Sequence, residues 1–381
     1  MQRIGAGMKG IVIWAQSSCR SVMDFYREFG KALGVPVCVA VWYYKKSANE
    51  KDNRNAVGFE DSEFSDMDIV PVGEDFDKGL KVIDSHKGWH HLCCNYQGSE
   101  NFRRLLLLAS KRGEKVAVGS ESPCNMQHGL RGLLKEIYYR VKLPRVVSDV
   151  IAASTFFINF SGDDDRLARV VGWPKEKIIP FGYFPPPIPG SRIQKRISNS
   201  PFEILSTGEM TWHRGSDVLL DALVLLKKSG CKFHATITQR GRLFADLQAK
   251  ARRHDLPVDF PGFLDLKDLC RIYESCTVFV GAGRREPWGM RLNDALNCGA
   301  PLVVSRGMGG VKMVDDYGCG LSFENENSQD LAAKLQLLAT DGDVYLQCAE
   351  NAIGAARANS AAVKARELIS TIERGFPEWL K

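Results

Sequence analysis

Short apolar runs alternate with longer amphipathic stretches along most of the chain. The runs are rich in β-branched residues, as at 11–14, 115–119, 202–206 and 278–281. Such runs are typical of strands buried on both faces of a parallel sheet, whereas the stretches between them repeat their apolar residues at the helical period. The alternation occurs twice, and the Pro-rich residues 185–189, which cannot continue a helix or a central strand, separate the two sets.

This pattern predicts an α/β protein with two doubly wound, Rossmann-like domains that face each other across a cleft. We place the N-terminal domain at residues 1–187 and the C-terminal domain at residues 195–360. The last helix, about residues 361–381, is expected to pack back on the N-terminal domain. A length of 381 residues agrees with two domains of ordinary size, and the space between two domains is the usual place for a ligand.

One stretch, Val278 to Gly310, predicts a strand, a polar turn, a helix from about Met290, and a second strand. Ligands of open α/β sheets bind beyond the carboxyl ends of the strands, where this turn lies. Glu286 lies in the turn, and Asp294, eight residues later, lies about two helical turns away on a similar face. Two carboxylates so placed can hold two vicinal-diol groups of one elongated ligand.

Composition and charge narrow the class of protein. The chain is 44% hydrophobic and 25% charged, which is ordinary for a globular protein. It has no run of the roughly 20 apolar residues that span a bilayer, and its N-terminus does not resemble a secretory signal, so we expect a cytoplasmic protein. The eleven scattered cysteines fit reduced thiols in that compartment. A net charge of +6 suits an acidic membrane surface or anionic substrates and gives little support for nucleic acid.

Residues 130–143, LRGLLKEIYYRVKL, predict an amphipathic helix that ends before a strand at residues 151–159. Its apolar side chains share one face: Leu130, Leu133, Leu134, Ile137, Tyr138 and Val141. Its basic side chains lie largely off that face: Arg131, Lys135, Arg140 and Lys142. Two interpretations stay open. The apolar face packs into the core of an ordinary surface helix, or it docks on anionic lipid.

Several motifs of other protein classes are missing. The turn after the first strand holds Ser17 and Ser18 but no GxGxxG, so a dinucleotide fingerprint is absent there. The histidines at 86, 90 and 91 lack metal-ligand spacing, because adjacent side chains on a strand point to opposite faces. The acidic run at residues 163–165 is predicted to begin a helix rather than a metal-binding loop. We therefore expect no metal and no resident cofactor.

Three segments of the second domain carry a family resemblance. Residues 286–294 read EPWGMRLND, residues 294–305 read DALNCGAPLVVS, and residues 307–323 read GMGGVKMVDDYGCGLSF. Together they resemble the large retaining glycosyltransferase family with the GT-B fold, the family 4 or group 1 type of bacterial surface-polysaccharide synthesis. The signature of that family is a glutamate, seven residues and a second glutamate around an EPFG turn. The resemblance covers about residues 201–339, and the first domain only in topology and in GWPKEKIIPFGYF.

The resemblance implies how a nucleotide-sugar donor is held. Glu286 is expected to contact hydroxyls of the donor sugar, and Asp294, one methylene shorter than the family's glutamate, to contact the ribose. Backbone N–H groups at the start of the helix are expected near the sugar and the phosphates, where the helix dipole favours anions. The predicted donor-binding residues are Gly208, Arg214, Arg285, Glu286, Pro287, Trp288, Gly289, Met290 and Asp294.

The chain departs from the family at the diphosphate. Relatives carry Gly-Arg after the first strand of this domain and Lys-Gly shortly after, and both basic residues meet the diphosphate. Here the strand ends in Gly208-Glu209, and the later pair is Arg214-Gly215. Arg214 matches the lysine and is expected to pair with a phosphate, whereas Glu209 has the wrong charge for the arginine. Three residues are candidates to replace that arginine, unless the leaving group is held differently: His213, Arg284 and Arg285.

The first domain is expected to bind the acceptor. Glu121, in SESP, occupies the topological place where the family often has a histidine that faces the reaction centre. This carboxylate is expected either to bind the acceptor or stabilise an oxocarbenium-like transition state, or to cap a helix or turn. The predicted acceptor-side residues are Ser17, Ser18, Asn95 and Glu121, and the predicted catalytic residues are Glu286, Arg214 and Glu121.

The resemblance therefore implies a metal-independent, retaining hexosyltransferase that uses a nucleotide diphosphate sugar. Its leaving diphosphate is expected to help deprotonate the acceptor, since no clear enzyme nucleophile is present. The expected acceptor is a lipid-linked oligosaccharide of surface-polysaccharide or O-antigen synthesis, at the inner face of the cytoplasmic membrane. Two alternatives stay open: a GT-B nucleotide-sugar epimerase, and a degenerate, non-catalytic nucleotide-sugar-binding protein, which Glu209 and Asp294 suggest.

Overall fold

The computed structural model describes residues 7–43, 61–94, 96–193 and 202–381. The chain forms two compact units, one made of Met1–Pro186 with Ser360–Lys381, the other of Pro187–Asn359. The division falls inside the Pro-rich residues 185–189. The C-terminal helix belongs to the first unit, although the second unit precedes it in the chain.

The first unit contains a sheet of seven parallel strands in the order β3-β2-β1-β4-β5-β6-β7. Its strands are β1 Ile11–Ser17, β2 Val37–Tyr43, β3 Asp68–Pro71, β4 His90–Cys93, β5 Val116–Ser120, β6 Phe157–Asn159 and β7 Ile178–Pro180. Its helices are α1 Arg20–Leu33, α2 Phe76–Ser85, α3 Glu100–Lys111, α4 Gly129–Ile137, α5 Leu143–Ala153, α6 Arg166–Val171 and α14 Ala361–Gly375. The order of the strands reverses between β1 and β4, which creates a crevice at their carboxyl ends.

Both faces of this sheet are covered, which explains why its strands are continuous apolar runs. Ile13 and Val39 belong to one core cluster with residues of α1 and α14, such as Phe29. Trp14 and Cys38, which point to the opposite face, belong to a second cluster with residues of α3 and α5. The return of α14 therefore completes the core of the first unit.

The second unit contains six parallel strands in the order β10-β9-β8-β11-β12-β13. Its strands are β8 Glu203–Ser206, β9 His234–Thr238, β10 Val258–Gly262, β11 Val278–Gly281, β12 Leu302–Ser305 and β13 Gly320–Phe323. Its helices are α7 Ser216–Lys228, α8 Phe244–Arg253, α9 Leu266–Ser275, α10 Met290–Asn297, α11 Val311–Tyr317, α12 Ser328–Thr340 and α13 Gly342–Ala358. Here the strand order reverses between β8 and β11, so the loops that follow these two strands lie side by side.

The segment from 129 to 159 differs from the sequence prediction. The strand predicted at residues 151–159 is wrong in its first part, because α5 continues to Ala153 and β6 begins only at Phe157. Val147 and Val150 bury one face of α5, and this helical burial overrides the β-branched composition. A π-helical turn, Tyr138–Lys142, joins α4 to α5.

The interpretation that α4 buries its apolar face is also wrong. Leu130, Leu133 and Leu134 are 72%, 59% and 57% exposed. The inward side of the helix is formed by Gly132, where a Cβ atom would lie 2.7 Å from the Gln127 carbonyl oxygen. Close backbone approach at this glycine leaves the leucines facing outward. No helix among the described residues is long and apolar enough to cross a membrane.

Candidate active site

Glu286 lies in the turn between β11 and α10, and its backbone is fixed from both sides. Its N–H donates to the Gly307 carbonyl at 3.1 Å, and its carbonyl accepts from the Gly309 N–H at 3.0 Å. These two bonds form a short parallel bridge with the loop that follows β12. The carboxylate is thus presented from a rigid backbone beyond the carboxyl end of β11.

Glycines around Glu286 make room for one methionine. Met308 packs against Gly281, Gly283 and Gly289, and a Cβ atom at Gly289 would lie 2.5 Å from its Cε. Gly289 also has a φ of 96°, in the left-handed region that favours glycine. The glycine of the EPWG turn therefore serves both the backbone conformation and the packing of the next loop.

Arg214 reaches Glu286 because two loops rest on each other. A Cβ atom at Gly215 would lie 1.9 Å from the Ala282 carbonyl oxygen, and the Arg284 N–H donates to the His213 carbonyl at 2.9 Å. This contact brings the loop after β8 against the loop after β11. Arg214 donates from Nη1 to Oε1 of Glu286, so the structure brings these two predicted catalytic residues together.

Arg291, in the first turn of α10, is a site residue that the sequence analysis missed. Its Nη2 donates to the same Oε1 of Glu286 at 3.3 Å, and its guanidinium group lies against Gly208. The helix dipole disfavours a cation in a first turn. An arginine immediately after the predicted helix start was therefore a signal in the sequence that this residue has a role in the site. The side chain of Glu286 is only 10% exposed, between the two guanidinium groups.

These residues line one recess of the second unit. Of the predicted donor-binding residues, four line it: Gly208, Arg214, Glu286 and Gly289. Trp288 is 3% exposed, and its indole Nε1 donates to Asn293 Oδ1 at 3.0 Å, so it can offer a ligand only backbone groups. Pro287 is half-buried and Met290 is exposed.

Two of the three candidate replacements for the family arginine, Arg284 and Arg285, point away from Glu286. Arg284 donates from Nη1 and Nη2 to the two carboxylate oxygens of Asp217, each at 2.8 Å. Burial raises the pKa of Asp217, but the hydrogen bonds and charge of Arg284 outweigh it and leave the pKa lowered. Arg285 is exposed, with its guanidinium carbon 5.8 Å from the centre of the Trp212 ring. Neither arginine lines the recess that the described residues form.

His213, the third candidate, is held neutral. Burial lowers its pKa to about 4, and the charges of Arg214 and Arg291 add to the shift. Its Nδ1 lies 3.1 Å from the Thr211 hydroxyl oxygen. At neutral pH, His213 therefore adds no positive charge to the site.

Asp294 lies on α10 beside Arg291 and Tyr273, and it is half-buried. Burial raises its pKa to about 7, although the Arg291 charge opposes the shift. The structure thus places Asp294 near the recess but not among the residues that line it.

The shift at Asp294 predicts how stability depends on pH. Because its folded-state pKa is above the ordinary value of about 4, the folded protein binds this proton more tightly than the unfolded chain. Stability is therefore lost as pH rises from about 4 to 7, and the loss is complete above about 7. Asp294→Asn lacks this loss. We therefore expect the free energy of unfolding of the variant, relative to that of the unchanged protein, to increase by on the order of 1–3 kcal/mol from pH 5 to pH 8. Urea unfolding at both pH values measures the difference, and Asp246→Asn, at an exposed position, is the control. A gain in the free energy of unfolding that does not depend on pH would contradict the raised pKa of Asp294.

The predicted acceptor-side residues belong to the first unit. Ser17 ends β1 and Ser18 is 7% exposed, whereas Glu121 follows β5, so these residues lie at the carboxyl edge of the sheet. The Glu121 carbonyl accepts from Gln97 Nε2 at 3.0 Å. Its carboxylate hydrogen-bonds Tyr183, whose pKa is raised first by burial and then by this negative charge. Asn95 lies outside the described residues.

One group in the described part of the chain could hold a metal ion. Potential ligand atoms of Cys38, Asp68 and His86 lie within 4.8 Å of one another at the amino ends of β2 and β3. His86 Nδ1 lies 2.8 Å from the Val82 carbonyl oxygen, and its Nε2 lies 3.6 Å from Asp68. Burial and the Asp68 charge raise the pKa of the Cys38 thiol, which keeps it protonated. The spacing of the histidines does not reveal this group, because the other two residues lie on two neighbouring strands, β2 and β3.

Solved structures share the fold over nearly the whole chain. The Anabaena protein HepE, solved in complex with UDP, is 14% identical with a TM-score of 0.69, and the match covers 96% of this chain and 100% of that one. WaaG, a glycosyltransferase involved in lipopolysaccharide biosynthesis, is 14% identical with a TM-score of 0.59, over 95% of this chain and 99% of that one. The predicted GT-B fold is confirmed: the protein belongs to the class with two doubly wound parallel-sheet units.

Sequence comparison finds similarity to glycosyltransferases in part of the chain. The family model of glycosyl transferases group 1 matches residues 189–354. A GDP-mannose-dependent alpha-(1-6)-phosphatidylinositol dimannoside mannosyltransferase of Mycobacterium tuberculosis is 34% identical over 110 residues, which is 28% of each chain. An N,N'-diacetylbacillosaminyl-diphospho-undecaprenol alpha-1,3-N-acetylgalactosaminyltransferase of Campylobacter jejuni is 31% identical over 85 residues, 22% of this chain and 23% of that one. The second unit thus matches the model of the group 1 glycosyl transferases, the family that the motif at residues 286–294 resembles.

Proposed function

We propose that the protein is a retaining glycosyltransferase that moves a sugar from a nucleotide diphosphate sugar to an acceptor hydroxyl. The observation that carries this proposal is the convergence of Glu286 with two arginines, Arg214 and Arg291, in one recess beyond the carboxyl ends of β8 and β11. A carboxylate suits sugar hydroxyls, and guanidinium groups suit phosphates. Sequence similarity to glycosyltransferases is concentrated in this unit.

In the proposed mechanism, positive charge stabilises the departing diphosphate. Arg214 neutralises negative charge as the sugar–phosphate bond breaks, and the N-terminus of α10 adds backbone N–H groups. The leaving diphosphate accepts the proton of the acceptor hydroxyl on the same face of the sugar, which retains the configuration. We propose that this arrangement works without a metal, because arginines supply the cationic charge.

For the acceptor, we propose a lipid-linked oligosaccharide of surface-polysaccharide synthesis, used at the inner face of the cytoplasmic membrane. The names of two relatives support this class, since one includes phosphatidylinositol dimannoside and the other diphospho-undecaprenol. A second support is an outward-facing apolar surface in the first unit, which we call the α4 surface: Leu130, Leu133, Leu134, Ile137 and Val141. Basic residues flank it, as anionic lipid requires: Arg131, Lys135, Arg140 and Lys142.

A product assay tests the proposed reaction. A thermal-shift screen with nucleotide sugars first identifies the donor, because a ligand of the native state raises its apparent stability. The protein is then incubated with the labelled donor, with and without lipid-linked acceptors. We expect acceptor-dependent transfer, and NMR of the product should show the anomeric configuration of the donor. An epimerised sugar from the donor alone would indicate an epimerase, and donor binding without turnover of any acceptor would indicate a non-catalytic protein.

A further inference from the structure

The recess holds more positive charge than the family pattern predicts for this sequence. Arg214 and Arg291 both donate to one oxygen of Glu286. Among the side chains that line the recess in the described part of the chain, two cations and one carboxylate leave a net charge of about +1; Asp294, beside Arg291, does not line it. Arg291 is placed there although the dipole of α10 disfavours a cation in its first turn, and the charge of Asp294, three residues later, offsets part of this cost.

Arg291 lies next to the place where the sequence lacks a cation. The family arginine would follow Gly208, but Glu209 occupies that position and is exposed. The guanidinium group of Arg291 lies directly over Gly208, so that a Cβ atom there would be 2.5 Å from Nη1. Gly208 also has a φ of 130°, so this end of β8 requires glycine for its conformation and for the approach of the arginine. The cation at the end of β8 therefore comes from α10 and not from the loop that follows β8.

We propose that Arg291 binds the diphosphate of the donor. It thereby replaces the family arginine, whose position in the sequence is occupied by Glu209. The inference rests on the proposed function, since it names a residue that recognises the proposed donor. When a diphosphate is bound, Arg214 and Arg291 transfer hydrogen bonds from Glu286 to phosphate oxygens. The carboxylate is then available to sugar hydroxyls, so one ligand satisfies all three side chains.

This arrangement predicts preference for a diphosphate over a monophosphate. A second phosphate presents further charged oxygens to two guanidinium groups, and hydrogen bonds between charged partners are about twice as strong as neutral ones. Arg291→Gln keeps a hydrogen-bond donor but removes the charge. We expect its Kd for a nucleoside diphosphate to rise about 10- to 100-fold. The fold-increase in its Kd for the matching monophosphate should be smaller by a factor of at least about three.

Calorimetric titration of the full chain with UDP, UMP, GDP and GMP measures these constants. Arg271→Gln is the matched control, because Arg271 is an exposed arginine of the same unit that pairs with Asp268. Arg291→Gln combined with Glu209→Arg tests whether an arginine at position 209 can replace Arg291. This double variant should recover most of the diphosphate affinity. Arg291→Lys keeps the charge and is used in the same comparison if Arg291→Gln fails to fold; it should retain the preference for diphosphate.

Three results would overturn the inference: unchanged diphosphate affinity in Arg291→Gln, equal losses for diphosphate and monophosphate, or a loss of similar size in Arg271→Gln. Failure of the proposed function gives a different result: the unchanged protein would show no acceptor-dependent sugar transfer, whatever the diphosphate affinities of these variants. Recovery by Glu209→Arg would support the inference even before the donor sugar is known.

Discussion

Glu286→Ala is expected to lower the rate of sugar transfer by about 100- to 1,000-fold, or more, in a protein that remains folded. The proposed role of this carboxylate is to hold the donor sugar while Arg214 and Arg291 hold the diphosphate. Among the described residues that line the recess, Glu286 supplies the only carboxylate, so the lining offers no substitute for it. Initial rates with the donor found by thermal shift, together with unfolding curves, measure the effect.

The stability cost of this substitution is expected to be smaller than that of breaking a fully buried ion pair, which is about 3–5 kcal/mol. The side chains of Arg214 and Arg291 are 27% and 24% exposed, so water can solvate them when Glu286 is removed. Glu286→Gln separates charge from shape and should also lose most of the transfer rate. Glu350→Gln, an exposed glutamate on α13, is the control. Full activity in Glu286→Ala would contradict the site assignment.

Replacement of three leucines of the α4 surface by glutamine is expected to weaken binding to anionic vesicles by about 100-fold or more. Leu130, Leu133 and Leu134 are more than half exposed, so their loss removes no core packing. Glutamine is a good helix former, and α4 should therefore persist. The apolar side chains are proposed to enter the lipid boundary, where burial of each contributes on the order of 1 kcal/mol or more. Flotation with phosphatidylglycerol-containing vesicles measures the binding.

The matched control replaces three exposed apolar residues of the second unit by glutamine: Ile193, Phe263 and Leu337. It should bind vesicles as the unchanged protein does. A charge-reversal variant, Lys135→Glu with Arg140→Glu, should also weaken binding, and its effect should shrink as salt is added. Unchanged binding of the charge-reversal variant at low salt would remove the electrostatic part of the proposal, and unchanged binding of the leucine variant would remove the membrane proposal itself.

The two predictions concern different parts of the same proposed reaction. The Glu286 variant should fail with any acceptor, soluble or membrane-bound, because the donor site itself is damaged. The leucine variant should keep its activity on a water-soluble acceptor analogue and lose it only on acceptor in vesicles. This contrast separates chemistry in the second unit from localisation by the first.

The sequence by itself determined the α/β class, the two sets of alternating elements and the place of Glu286 between β11 and α10. These features are local: a buried parallel strand must be a continuous apolar run, and a turn between strand and helix is marked by its glycine and proline. The motif at residues 286–294 also indicated the similarity to group 1 glycosyl transferases, because its residues are close in sequence. The ends of helices and strands were predicted less accurately where an apolar run belongs to a helix, as at the end of α5.

Only the tertiary structure decided which charged residues share the recess. Arg291 and Gly208 are far apart in sequence, and their contact exists because β8 and β11 are neighbours in the sheet. The same loops turn Arg284 toward Asp217, although its sequence position made it a good candidate for the diphosphate. The direction of the α4 surface was likewise undecided in sequence, because an amphipathic pattern shows that two faces differ but not which one meets the core. That choice depends on the close approach at Gly132, which is a property of the folded chain.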